Sequence, residues 1–125
     1  MKALTIKQPW AWAILAAGKD VENRGWSTHY RGPLVIHAGA ALHRDAELPR
    51  GVPRPIEGEL VFGAILGVVD LVEVVETRRS KWSGGPFGWV LRNPRRFVRP
   101  IPCKGRLGLW SLSPSQVRSV KRQLG

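Results

Sequence analysis

Within the stretch AGKDVENRGW, residues 17–26, a lysine, a glutamate and an arginine fall inside six positions as Lys19, Glu22 and Arg24. Lysine and arginine neutralise phosphate, the arginine in a two-pronged geometry. A glutamate between them can orient both cations, accept a hydrogen bond from a base edge or a 2′-OH, or act as a general base. If Val21 enters a strand pointing inward, Glu22 and Arg24 share the opposite face, because strand side chains alternate. The same spacing also fits a solvated strand edge whose surface ion pair contributes ~0–1 kcal/mol, and spacing alone leaves both readings open. Three tryptophans flank the stretch. Trp12 lies inside an apolar helical segment and is expected in the core, where aromatic rings dominate small domains. Trp10 at the helix entrance and Trp26 beyond a glycine are the candidates for stacking on a base, worth ~1–3 kcal/mol. Gln8 is a further candidate for a base-edge contact.

The charge distribution points the same way. Residues 1–77 carry eight Lys/Arg and all nine acids, a net of −1, whereas residues 78–125 carry twelve Lys/Arg and no acid, a net of +12. Such a field attracts polyanions, and nucleic acid is the expected partner. Arg78, Arg79 and Lys81 precede Trp82, and Arg92, Arg95, Arg96 and Arg99 surround Phe97. Basic residues interleaved with aromatics suit a single-stranded backbone running beside stacked bases. His29, His37 and His43 match no metal-ligand spacing, and no cofactor or metal is expected; His37, in an apolar run, reads as a satisfied structural histidine. Cys103 is the only cysteine, which rules out an intramolecular disulfide and reads as a small packed residue rather than a nucleophile. The N-terminus has no apolar run resembling a signal peptide, and Leu60–Val69 is too short to span a membrane, so a cytoplasmic protein is expected.

The elements that must position these residues follow from pattern. The 125 residues suit one domain over 1–125. Ala3–Lys7 reads as a strand, Trp10–Ala17 as a short apolar helix with Pro9 in its first turn and Gly18 at its end. Leu34–Ala38 reads as a buried strand and Ala40–Leu48 as a second short helix. Glu59–Glu76 is rich in β-branched residues and reads as one long or two joined strands, with Gly63 and Gly67 marking bulges. Phe87–Leu91 and Leu107–Leu112 read as strands, and Ser113-Pro114-Ser115-Gln116 as a capping box opening a terminal helix with a basic outer face. Strands, short helices and many glycine or proline corners predict an α+β protein whose curved sheet closes into a small barrel with flanking helices.

ALTIKQPWAWAI, AGKDVENRGW, YRGPLVIHAG and FGWVLRNPRRF, in this order, resemble the ASCH domain family of the PUA-like superfamily. That family carries a G-x-K-x-x-E-x-R motif after its first helix; Lys19, Glu22 and Arg24 match its charged positions, with Ala17 in place of the leading glycine. The resemblance covers Ala3 to about Trp110. It implies a PUA-like β-barrel with a cleft beside the motif, in a superfamily many of whose members bind RNA or modified bases, and it favours the pocket reading. The expected function is recognition of single-stranded RNA or an unstacked or modified base in a cleft lined by Lys19, Glu22 and Arg24. The alternatives are a single-stranded RNA ribonuclease, with those three as catalytic residues, and a module whose basic face meets an acidic protein. Some relatives are amidohydrolases on acetylated cytidine, but Glu22 stands where those have a threonine, so that constellation is incomplete.

Overall fold

The computed structural model describes residues 1–76 and 80–125. Six strands and two helices follow in the order β1 (Lys2–Gln8), α1 (Trp10–Ala16), β2 (Val21–Arg24), β3 (Gly32–Leu42), β4 (Ala64–Val75), β5 (Phe87–Pro102), β6 (Leu109–Ser111) and α2 (Pro114–Leu124). One sheet holds all six strands in the order β2-β5-β4-β3-β1-β6. Among the described residues only β1 and β3 pair in parallel; β3, β4 and β5 form an antiparallel meander.

The apolar run Leu34–Ala38 is continuous because the sheet is covered on both faces. Leu34, Ile36 and Ala38 pack with Ala11, Ile14 and Leu15 of α1 and with Trp89. Val35 points the other way, into a second cluster with Ala3, Val68, Phe97, Trp110 and Val120 of α2. Alternation along one strand thus feeds two cores. The expected capping box is present: Gln116 N donates to Ser113 Oγ, and Ser113 N donates to Gln116 Oε1 at 2.8 Å.

The α+β expectation holds, but the sheet does not close. Among the described residues β2 pairs with β5 alone and β6 with β1 alone. The sheet curls instead, until Arg24 of edge strand β2 reaches across and donates to the Thr5 carbonyl of β1 at 2.9 Å. A side-chain clasp spans the seam that a barrel would close with a backbone ladder. Two bends drive the curl. Gly67 sits beside register shifts in both the β3–β4 and β4–β5 pairings, and a Cβ there would overlap the Arg95 carbonyl oxygen. Asn93 has φ of 53°, a left-handed conformation that asparagine tolerates better than most residues.

Several expected boundaries move, among them the strand expected over Leu107–Leu112, which spans Leu109–Ser111. The helix expected over Ala40–Leu48 is absent: β3 continues to Leu42, which pairs with Gln8, and His43 N donates to Gln8 O at 2.7 Å. Strand pairing there outweighs the helical preference of alanine. β4 starts at Ala64, after Gly63 turns the chain at φ 64°. β5 runs through the arginine cluster to Pro102, eleven residues beyond the expected end at Leu91. Neither helix is long and apolar enough to cross a membrane.

Candidate nucleic-acid groove

The seam between β1 and β2 opens into a groove of about 1420 Å³, with Lys19, Glu22 and Arg24 in its wall. Lys19 follows the helix end directly: Gly18 turns at φ 76° and Lys19 N donates to Ala13 O at 3.0 Å. Val21 is fully buried, which puts Glu22 and Arg24 together on the seam side of β2, as strand alternation demands.

The three side chains form one ionic cluster. Lys19 Nζ donates to the Val21 carbonyl and, at 3.2 Å, to Glu22 Oε1. Arg24 Nε donates to Glu22 Oε2 at 3.0 Å, and its Nη2 lies 2.9 Å from the same oxygen as an ion pair. Side-chain exposure is 3% for Lys19, 8% for Glu22 and 23% for Arg24. This is a buried cluster rather than a solvated edge, and such burial is costly without pairing. Burial holds the Lys19 ammonium below the ordinary lysine range, with the Glu22 charge opposing that shift.

The arrangement narrows what each residue can do. Each Glu22 oxygen accepts from one of the two cations, so its carboxylate serves first as their counter-charge. Two cations and one carboxylate leave a net charge of +1. One N–H of Lys19 and the Nη1 group of Arg24 remain for a ligand, which matches the single negative charge of a phosphodiester.

Trp10 lines the groove, half-buried, with Nε1 donating to His43 Nδ1 at 2.8 Å and Lys19 Nζ 5.9 Å from its ring centroid. Lys81 and Trp82 reach the same groove on a loop that Asn23 holds, its Nδ2 donating to Trp82 O at 2.8 Å and its Oδ1 accepting from Gly84 N at 2.9 Å.

Other expected residues fall elsewhere. Gln8 is wholly buried, its amide spent on Val61 O at 2.8 Å and Trp12 N at 2.9 Å, so it braces α1 rather than meeting a base. Phe97 is 6% exposed and packed in the core, and Trp82, though it borders the groove, is 5% exposed and presents little ring surface for stacking. Trp26 is 37% exposed but sits edge-on to Trp89, outside the groove lining. Arg92, Arg95, Arg96 and Arg99 lie along β5 and none lines the groove. Arg78 and Arg79 lie outside the described residues. Trp12 is core, as expected, with its Nε1 bonded to Glu59.

Reasoning from sequence missed part of the groove. Lys7, Lys104 and Arg106 line it, bringing its cations among the described residues to six with Lys19, Arg24 and Lys81, against Glu22 and Glu47. Thr5 and Lys7 were detectable as the polar face of a strand alternating with Leu4 and Ile6. His37 lines it too and is a satisfied structural histidine, with ring nitrogens at 3.2 Å from Thr5 Oγ1 and 2.8 Å from Cys103 O.

Comparison with solved structures gives the same architecture. The crystal structure of ASCH from Zymomonas mobilis matches with a TM-score of 0.58 over 97% of this chain and 93% of that one, at 14% identity. A mutant form of the same Zymomonas mobilis protein matches with a TM-score of 0.59 over 97% of this chain and 96% of that one, also at 14% identity. At that identity the likeness is one of fold. Among curated proteins, activating signal cointegrator 1 of Homo sapiens is 30% identical over 97% of this chain, and the Mus musculus protein 28%. The chain covers 24% of the length of each. The description of the ASCH domain matches residues 4–99, from the first strand through the clasped triad to the end of the arginine cluster, and the chain belongs to that family.

Proposed function

We propose that this protein binds RNA, taking single-stranded RNA or an unstacked base into the seam groove. The observation that carries the reading is the buried Lys19–Glu22–Arg24 cluster, net +1, in a cationic groove. A backbone phosphate meets the free N–H groups of Lys19 and Arg24, while the face of Trp10 offers a surface for the adjoining base. Arg92, Arg95, Arg96 and Arg99 contribute a diffuse field from outside the groove.

Titration of a short single-stranded RNA across salt concentrations tests the reading. Six groove cations less the two matched by Glu22 and Glu47 leave about four, so log K should fall against log salt with a slope of about −2.8. Affinity that is absent at low salt, or independent of salt, overturns it.

A ribonuclease is the second reading, favoured by a lysine that burial makes easier to deprotonate beside a carboxylate. Labelled RNA incubated with purified protein, with and without chelator, tests it. Cleavage lost in both Lys19→Ala and Glu22→Ala supports the enzyme; cleavage unchanged in both marks a contaminant.

A further inference from the structure

The loop 103–108 supplies one rim of the groove, and its tip departs from ordinary surface chemistry. Leu107 is 98% exposed, so the fold makes no use of its side chain. The sequence around it is Lys104-Gly105-Arg106-Leu107-Gly108, with both cations exposed. An isolated exposed leucine is unremarkable by itself. The loop that carries this one is anchored at Cys103 and Gly105. At the loop's start Cys103 N donates to Gly63 O at 3.0 Å, and Cys103 O accepts from His37 Nε2 at 2.8 Å. Gly105 is pressed against the Thr5–His37 pair so closely that a Cβ would come within 2.8 Å of the His37 ring. Gly108 turns at φ 65°, and β6 begins at Leu109. The tip is therefore an apolar side chain on an anchored loop, directly after two cations, at the mouth of a groove suited to a phosphate.

We propose that Leu107 is a wedge that enters the base stack of the bound nucleic acid while Lys104 and Arg106 hold the flanking phosphates. Apolar wedges beside cations separate stacked bases because lost stacking is offset by apolar burial and phosphate contacts. The preferred partner is then an RNA in which stacked pairs abut an unpaired nucleotide: the wedge caps the stack and the groove takes the nucleotide beyond it. This rests on the groove reading but asks more of the partner than an isolated single strand.

The test uses two RNAs, a hairpin carrying 2-aminopurine at the first unpaired position beside its stem, and the loop sequence as a free single strand. Wild-type protein should raise 2-aminopurine fluorescence severalfold on binding the hairpin. Leu107→Ala should lose that rise and about tenfold in hairpin affinity while binding the single strand within about twofold. Leu107→Met should keep the rise. The position is solvent-exposed, so an unchanged melting temperature is expected for both variants. Hairpin binding without a fluorescence rise, or a rise that survives Leu107→Ala, overturns the wedge and leaves the groove intact. If neither RNA binds, both readings fall. If Leu107→Ala lowers affinity for an acidic peptide and for neither RNA, the tip is a protein-docking element and the proposal is wrong.

Discussion

Two basic regions of this molecule use the same residue types and differ in burial. In the seam groove, Glu22 sits between Lys19 and Arg24 with side chains 8%, 3% and 23% exposed. On β5, Arg95 pairs with Asp70 at 2.6 Å, but those side chains are 32% and 34% exposed, and Arg96 meets Glu59 at only 3.7 Å. The denser run of arginines is the solvated one. The sparser charges of the motif lie where water is largely removed and each charge interacts more strongly. Local density of basic residues is thus a poor guide to where charge is buried in this protein; the seam between β1 and β2 is a better one.

Neutralising the two carboxylates should split the regions most sharply. Glu22→Gln leaves Lys19 and Arg24 adjacent with no counter-charge, and is expected to lower unfolding free energy by about 3 kcal/mol in urea denaturation. Asp70→Asn removes an exposed pair and should cost under ~1 kcal/mol. Equal losses would mean that the groove cluster is as solvated as the β5 pair. Next in size is the effect on RNA. Lys19→Met and Arg24→Gln should each weaken single-stranded RNA binding about thirtyfold, roughly 2 kcal/mol, the range for a hydrogen bond to a charged group.

Much of this arrangement is legible from the chain alone, and the reasons for the remainder are specific. Val21 inward with Glu22 and Arg24 outward follows from alternation over four residues, a local rule that needs no knowledge of the partner strand. The capping box at Ser113–Gln116 is equally local. The clasp from Arg24 to the Thr5 carbonyl is not: it joins strands at nearly opposite ends of the sheet order, and depends on how far Gly67 and Asn93 bend the sheet. The same bend carries β5 past Pro94 to Pro102, so arginines that look like a loop in sequence become a strand face. Gln8, a plausible base reader by type, is consumed by the backbone of its neighbours at Val61 and Trp12, contacts that no spacing reveals.

A pH series sharpens the contrast further. Burial lowers the Lys19 pKa below 10.5, so on the alkaline side Lys19 loses its proton earlier than in the unfolded chain. RNA affinity should therefore decline severalfold before the ordinary lysine range is reached, and Lys19→Arg, which keeps its charge, should remove that early decline. Stability moves in the opposite sense: between the folded-state pKa and 10.5 the unfolded chain binds more protons, so the burial penalty is relieved as pH rises through that window. A wild-type affinity curve matching that of Lys19→Arg would place Lys19 outside the contact.

The smallest expected effect is on β5, and it tests the comparison from the other side. Arg92 and Arg99 are exposed and lie outside the groove lining, so they act on a short bound strand only through a field that salt screens within about 8–10 Å. Arg92→Gln and Arg99→Gln should each reduce affinity for a groove-length RNA by about twofold, near 0.4 kcal/mol. Neither should change the salt slope measurably, because a residue that releases no counterion from the strand leaves the slope alone. A slope that falls by about 0.7 for each substitution would mean that the strand leaves the groove and crosses the arginines after all. The face would then be a second contact surface, and burial would no longer separate the two regions.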